Sequence, residues 1–222
     1  MSVDNNDGIL PSSSIEKVVL APGLVLYKNI LKLGDTVIEN IEDALSNNSN
    51  YKWSQAMVGN RQRVPDYRDC LDFKFKKSTI VGTDQKSETI KDSWQYLFDN
   101  MNVAVEDYRS MYPMEPLEYW EAINLVKYYP GNHFQTHADD GASYKSVVSL
   151  VGYLNDNYEG GELTFELYGI TLKPDAGDLV VFPSNFMFMH RALPVTTGIK
   201  YSVVTMLDYS DKFHTQRFYY EK

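Results

Sequence analysis

The second half of the chain is patterned differently from the first. From Tyr119 onward, short runs of Val, Leu, Ile, Tyr and Phe are separated by turn pairs at Pro130-Gly131, Asp140-Gly141, Gly160-Gly161, Ala176-Gly177 and Thr197-Gly198. Apolar runs of strand length at such regular spacing predict an antiparallel barrel or jelly roll, whose wide end can hold a ligand between two sheets. In the first half the apolar positions follow helical spacing twice. Val37, Ile38, Ile41 and Leu45 predict one helix, with Asp35 as its cap and the polar cluster Ser46 to Asn50 as its end. Ile90, Trp94, Leu97, Phe98, Met101, Val105 and Tyr108 predict a longer one, stopped by Pro113, with a stripe wide enough to pack on a sheet. Val18 to Tyr27 reads as a strand broken by Pro22-Gly23, and residues 1–16, polar and aperiodic, read as a loose arm. The expected organisation is that arm followed by a single domain over residues 17–222. Its fold class is mainly β with N-terminal helices (α+β), and the β-roll core runs from about residue 119 to 209.

Composition narrows the partners more than the fold. With 222 residues, 43% hydrophobic and 14% aromatic, the chain is too apolar for a disordered segment and long enough for one real core. A net charge of −9 works against phosphate backbones and anionic lipid, so nucleic acid is not an expected partner. Cys70 stands alone, which excludes an internal disulfide, and no apolar run approaches the roughly 20 residues of a membrane helix. The first residues show neither the basic nor the apolar stretch of a signal peptide, so a reducing cytoplasm is the expected compartment.

The chemistry is concentrated in the β half. In His137-Ala138-Asp139 the two polar side chains are two residues apart, which in extended chain points both to one face. His190, just after the run Asp178 to Pro183 and an aromatic loop, is placed where a roll can bring it back over that pair. Two histidines and a carboxylate on one face leave three coordination positions open, the arrangement used by iron(II) oxygenases, whereas structural zinc favours a closed shell, usually with cysteines. A His-x-Asp pair is by itself a weak signal, common in turns and on surfaces. Lys200 changes its weight: ten residues past His190, it can reach deep into the roll, and a buried lysine needs an anion.

From about Leu125 to Leu207 the chain resembles the catalytic core of the prolyl 4-hydroxylase family of 2-oxoglutarate oxygenases. The matching pieces, in order, are Tyr128-Tyr129-Pro130-Gly131-Asn132-His133-Phe134, His137-Ala138-Asp139, Tyr153-Leu154-Asn155-Asp156 and Gly160-Gly161-Glu162-Leu163-Thr164-Phe165. Lys173-Pro174, Gly177-Asp178-Leu179-Val180-Val181-Phe182, His190, Pro194-Val195 and Gly198-Ile199-Lys200-Tyr201-Ser202 complete it. The resemblance implies a double-stranded β-helix (a cupin-like jelly roll), with His137, Asp139 and His190 as iron ligands. It implies Lys200 as the partner of the far carboxylate of 2-oxoglutarate. Tyr128 aligns with a tyrosine that hydrogen-bonds the co-substrate, with its neighbour Tyr129 as a competitor; Tyr153 and Ser202 are further candidates near Lys200. Arg68, in Arg68-Asp69-Cys70, falls where the family often has an arginine-led element at the active-site mouth, and a surface salt bridge is the competing reading. His133 and His214 read as packing or structural histidines, and Cys70 as a small buried hydrophobe.

The implied activity is that of an iron(II)- and 2-oxoglutarate-dependent dioxygenase that uses O₂, with ascorbate as a candidate reductant, and hydroxylates a C–H bond with release of succinate and CO₂. A peptidyl, prolyl-type substrate is the first expectation and a small metabolite the alternative, with a nucleic acid behind both. A cupin-like metal-binding module without turnover is the rival of another class; it has no use for Lys200. The family commonly carries tryptophan a few residues past the lysine, and this chain reads Val203-Val204-Thr205-Met206, which implies an altered substrate wall.

Overall fold

The computed structural model describes residues 15–46, 51–58, 62–141 and 144–214. The expected arm lies outside these residues except at its last two positions, as does most of the Ser46 to Asn50 cluster. Among the described residues there are two α-helices, α1 over Gly34–Ser46 and α2 over Gln85–Met111. Asp84 caps α2, its side chain accepting from the backbone N–H groups of Lys86 and Ser87 at 3.1 Å each. The helix gives out just before Pro113, as its apolar stripe predicts. The start of α1 differs from expectation: it opens on Gly34, so Asp35 sits inside the first turn. A Cβ at position 34 would lie 2.3 Å from the carbonyl oxygen of Leu154, so the helix can begin this close to the sheet only on a glycine.

The strands in chain order are β1 (Lys17–Ala21), β2 (Leu24–Tyr27), β3 (Ser54–Gln55), β4 (Arg68–Asp69), β5 (Leu71–Phe75), β6 (Tyr119–Trp120), β7 (Ile123–Tyr128) and β8 (His133–His137). They continue as β9 (Val148–Tyr153), β10 (Glu159–Gly160), β11 (Leu163–Phe165), β12 (Ile170–Leu172), β13 (Leu179–Pro183), β14 (His190–Ala192), β15 (Val195–Thr197) and β16 (Lys200–Asp208). A major sheet has the order β1-β2-β13-β9-β16-β7-β5-β3, with β6 also on β16, and a minor sheet the order β12-β11-β14-β8-β4. The jelly-roll reading therefore holds, but the N-terminal half supplies five strands to it where the pattern predicted only one early strand. The broken strand is a hairpin, β1 and β2, on one edge of the major sheet, and β4 and β5 extend the two sheets at the other side.

Both faces of the major sheet are covered, which is why its strands read as nearly continuous apolar runs. Along β13, Leu179 and Val181 join the core under the helices with Val37, Ile41, Ile90, Leu97 and Met101, while Val180 and Phe182 pack with Leu163 and Phe165 of the minor sheet. Each such side chain contributes about 1.5–3 kcal/mol on full burial. Trp94 stacks on Phe98, which meets Trp120 of β6, so the long helix lies against the outer face as its stripe requires. Among the described residues no helix is long and apolar enough to cross a membrane.

Candidate metal and co-substrate site

The inward face of the major sheet is polar where the outward face is not. On β16, Tyr201, Val203 and Leu207 pack toward the helices, leaving Lys200, Ser202, Val204 and Met206 to line a cavity of about 820 Å³ between the sheets. Antiparallel register arranges the cavity wall in rows. Lys200 pairs with Tyr128; Ser202 lies between Val126 and Tyr153; Val204 lies between Asn124 and Val151, and Lys74 follows beyond Asn124; Met206 pairs with Ser149. Rows follow one another at two residues, or about 7 Å.

Opposite this wall the minor sheet carries the predicted metal set. His190 on β14 is the direct cross-strand partner of His137 on β8, and Asp139 follows β8 by two residues. The candidate ligand atoms of the three lie within 4.8 Å of one another, with Asp139 carboxylate oxygens 3.4 Å from His137 Nε2 and 3.8 Å from His190 Nε2. His137 Nδ1 is 2.8 Å from the carbonyl of Gln135 and His190 Nδ1 is 3.0 Å from that of Phe188. A carbonyl only accepts, so each Nδ1 carries a hydrogen and each ring is oriented with Nε2 toward Asp139. Burial pushes His190 down to about 4, which keeps it neutral, and although burial alone would raise Asp139, His190 and His137 hold its carboxyl well below the usual range. Asp139 Oδ2 is buried with no hydrogen-bond partner. Two imidazoles held through Nδ1 and a carboxylate with an orphaned oxygen fit a divalent transition metal.

Lys200 stands at the other end of the same cavity, 2% exposed. Its ammonium donates to the carbonyl of Gly161 at 2.6 Å and lies over the rings of Tyr153, Tyr128 and Tyr158 at 5.0, 5.3 and 5.8 Å. Burial lowers it to about 7, with only partial compensation from Glu162. Tyr153 has a fully buried hydroxyl without a partner. A buried ammonium and an orphaned hydroxyl lining one cavity would suit a carboxylate.

The remaining expected residues divide. Tyr128 is buried and lines the cavity, whereas Tyr129 is 40% exposed and turns toward Lys127, so the geometry separates the two competitors. Ser202 lines the cavity beside Tyr153. Arg68 also lines it, donating to the Met57 carbonyl at 3.0 Å, 3.7 Å from Asp72 and 4.8 Å over Phe134, whose ring stacks on His137. It is therefore not a surface salt bridge. His133 makes only backbone contacts, near Gly131 and Asp66. Cys70 is buried against Tyr128, as a small hydrophobe would be. His214, read from the sequence as structural, instead faces the cavity with its side chain 2% exposed. Glu121, Asn124 and Tyr158 went unnoticed. Asn124 was within reach of the alternation in Ile123-Asn124-Leu125-Val126-Lys127-Tyr128, which puts it on the face of Tyr128.

Two facing antiparallel sheets make a double-stranded β-helix, and a two-histidine, one-carboxylate set and a buried lysine line the cavity between them. Residues 123–207 match the model of the 2OG-Fe(II) oxygenase superfamily. The chain is 32% identical to a PKHD-type hydroxylase of Cupriavidus pinatubonensis over 94 residues, 40% of this chain and 40% of that protein. The chain thus spans about two fifths of the length of the curated relatives it matches. A Trichoplax adhaerens prolyl hydroxylase, solved with a hypoxia inducible factor peptide fragment, superposes with a TM-score of 0.68 at 16% identity over 83% of each chain. A Pseudomonas putida prolyl-4-hydroxylase gives 0.63 at 21% identity, over 83% of this chain and 92% of that one. At these identities the likeness to the two structures is one of fold.

Proposed function

We propose that this protein is an iron(II)- and 2-oxoglutarate-dependent hydroxylase of a peptide or small-molecule substrate, a prolyl-type peptide being the first to test. The observation that carries the reading is that His137, Asp139 and His190 share one cavity with the buried ammonium of Lys200, which among the described residues has no carboxylate within salt-bridge distance. His137 Nε2, His190 Nε2 and an Asp139 oxygen would hold the metal, their ring orientations fixed by the Gln135 and Phe188 carbonyls. Iron(II) bound there would supply the chemistry that couples O₂ and 2-oxoglutarate to C–H hydroxylation, with succinate and CO₂ released. Lys200 neutralises the far carboxylate, Tyr153 donates its free hydroxyl to it, and Tyr128 and Ser202 complete the polar floor. Val126, Val204, Val151 and Leu163 line the middle of the cavity and exclude water from the charged ends. Arg68, stacked over Phe134, stands on the substrate side, and the Trichoplax adhaerens relative supports a peptide there because it was solved with one. The test is succinate formation from 2-oxoglutarate in air with added iron(II), screened against proline-containing peptides and a metabolite panel. No turnover with any of them, in protein that binds the metal, would remove this reading.

A further inference from the structure

The cavity has a second polar end that the proposed chemistry leaves unused. Beyond Val204, on the side away from Lys200, Asn124 and Lys74 stand side by side on the sheet floor, and Glu121 is tied to the next row by its N–H, which donates to the Met206 carbonyl at 2.9 Å. His214 closes this end, its ring stacked on Tyr119 with centroids 3.8 Å apart. Its Nε2 is 2.9 Å from an Asp208 carboxylate oxygen, so Nε2 carries the hydrogen and Nδ1 offers a lone pair. That Nδ1 is buried without a partner, and so is Asn124 Oδ1, on a residue only 8% exposed.

Among the described residues, two unpartnered acceptors and a carboxylate thus line the same cavity as the metal set. Buried acceptors are nearly always satisfied in folded proteins, so a pair left open along a cavity wall marks contacts made by something that enters. The missing partner must donate. We propose that Glu121, Asn124 and His214 form a subsite for a nitrogen-bound hydrogen-bond donor of the substrate, an ammonium or a carboxamide placed next to the carbon that is oxidised. This deepens the oxygenase reading and rests on it. Lys74 is the main cation near the Glu121 carboxyl at this end of the cavity. Met206, where the family commonly has tryptophan nearby, gives this end a flexible thioether wall in place of a rigid indole.

The probes are the blocked amino acids N-acetyl-lysine amide, N-acetyl-glutamine amide and N-acetyl-norleucine amide, each also placed after proline in a short peptide. They are titrated calorimetrically into the protein, alone and with manganese(II) and 2-oxoglutarate in the absence of air. Binding of the lysine or glutamine probe at least tenfold tighter than norleucine is expected. If lysine leads, Glu121→Gln should erase the preference; if glutamine leads, Asn124→Leu should erase it. Both variants should keep their affinity for manganese(II) and 2-oxoglutarate, and both are close in shape to the residues they replace. Equal binding of norleucine, or a preference that survives both substitutions, overturns the subsite. Succinate formation with the same probes decides the other question: donor-selective binding without any turnover would sink the oxygenase reading and leave the subsite standing.

Discussion

His190 stands directly opposite His137 across the β8–β14 ladder, their ring centroids 4.3 Å apart and tilted by 55°. Both donate through Nδ1 to carbonyls two residues back in their own chains, so two strands present the same ring geometry to one point. Because side chains alternate between faces, a slip of one residue in this pairing would turn one ring out of the cavity altogether.

Removing either ring should therefore remove the metal and little else. His137→Ala and His190→Ala are expected to weaken manganese(II) or iron(II) binding by at least on the order of a hundredfold, while the far-ultraviolet circular dichroism spectrum stays that of a folded β protein. Calorimetric metal titration checks this, and wild-type affinity in His190→Ala would rule that residue out as a ligand.

Lys200 should matter for the co-substrate and not for the metal. In Lys200→Met the charge-assisted contact is lost, so the Michaelis constant for 2-oxoglutarate should rise by on the order of a hundredfold with manganese(II) affinity unchanged. The metal-free variant should melt no lower than the parent, since an apolar chain replaces a buried ammonium. A normal Michaelis constant would place the anion site elsewhere.

The pH dependence of 2-oxoglutarate binding follows from the same group. Lys200 is lowered to about 7 by burial in the free protein, and a bound carboxylate raises it again. Below about pH 7 the ammonium is already present and affinity is flat; above it, affinity falls by up to tenfold per unit until the bound-state value is passed. Near pH 8 binding should take up close to one proton, measured by calorimetry in buffers of different ionisation enthalpy; zero uptake would refute the assignment. In the free protein this lysine penalises folding fully below about pH 7, and the penalty fades as pH rises toward its ordinary value.

Gly34→Ala tests the contact between α1 and the sheet. Its Cβ would meet backbone, which cannot swing aside, so a loss of about 2 kcal/mol or more in urea unfolding is expected. Metal affinity of the folded fraction should stay unchanged. A neutral effect would mean that α1 can start elsewhere.

Long, strongly periodic segments were readable: α2 from its stripe and its stop before Pro113, and the broken strand from Val18 to Tyr27, whose Pro22-Gly23 interruption is the turn of a hairpin. The start of α1 was not, because a capping aspartate is a local signal, whereas Gly34 answers to Leu154, far away in sequence. Strands β3 and β4 have two residues each and carry no period at all. Strand β5 does alternate, Leu71, Phe73 and Phe75 against Asp72 and Lys74, but its meaning depends on pairing with β7. Glu121 and Asn124 are ordinary residues far from His214 in the chain; only register and the path of the chain after β16 bring them into one cavity.

Setting Lys200 on a strand whose side chains alternate makes β16 a coarse ruler. The nearest other positions facing the cavity are Ser202 and then Val204, at successive steps of about 7 Å along the strand, each longer than one or two methylene groups. If 2-oxoglutarate is held by Lys200 as proposed, moving the cation along the strand cannot retune the site from a five-carbon to a four- or six-carbon keto diacid. Such a change of diet has to come from the length of the side chain at position 200, or from the carbonyl of Gly161 that steadies its tip.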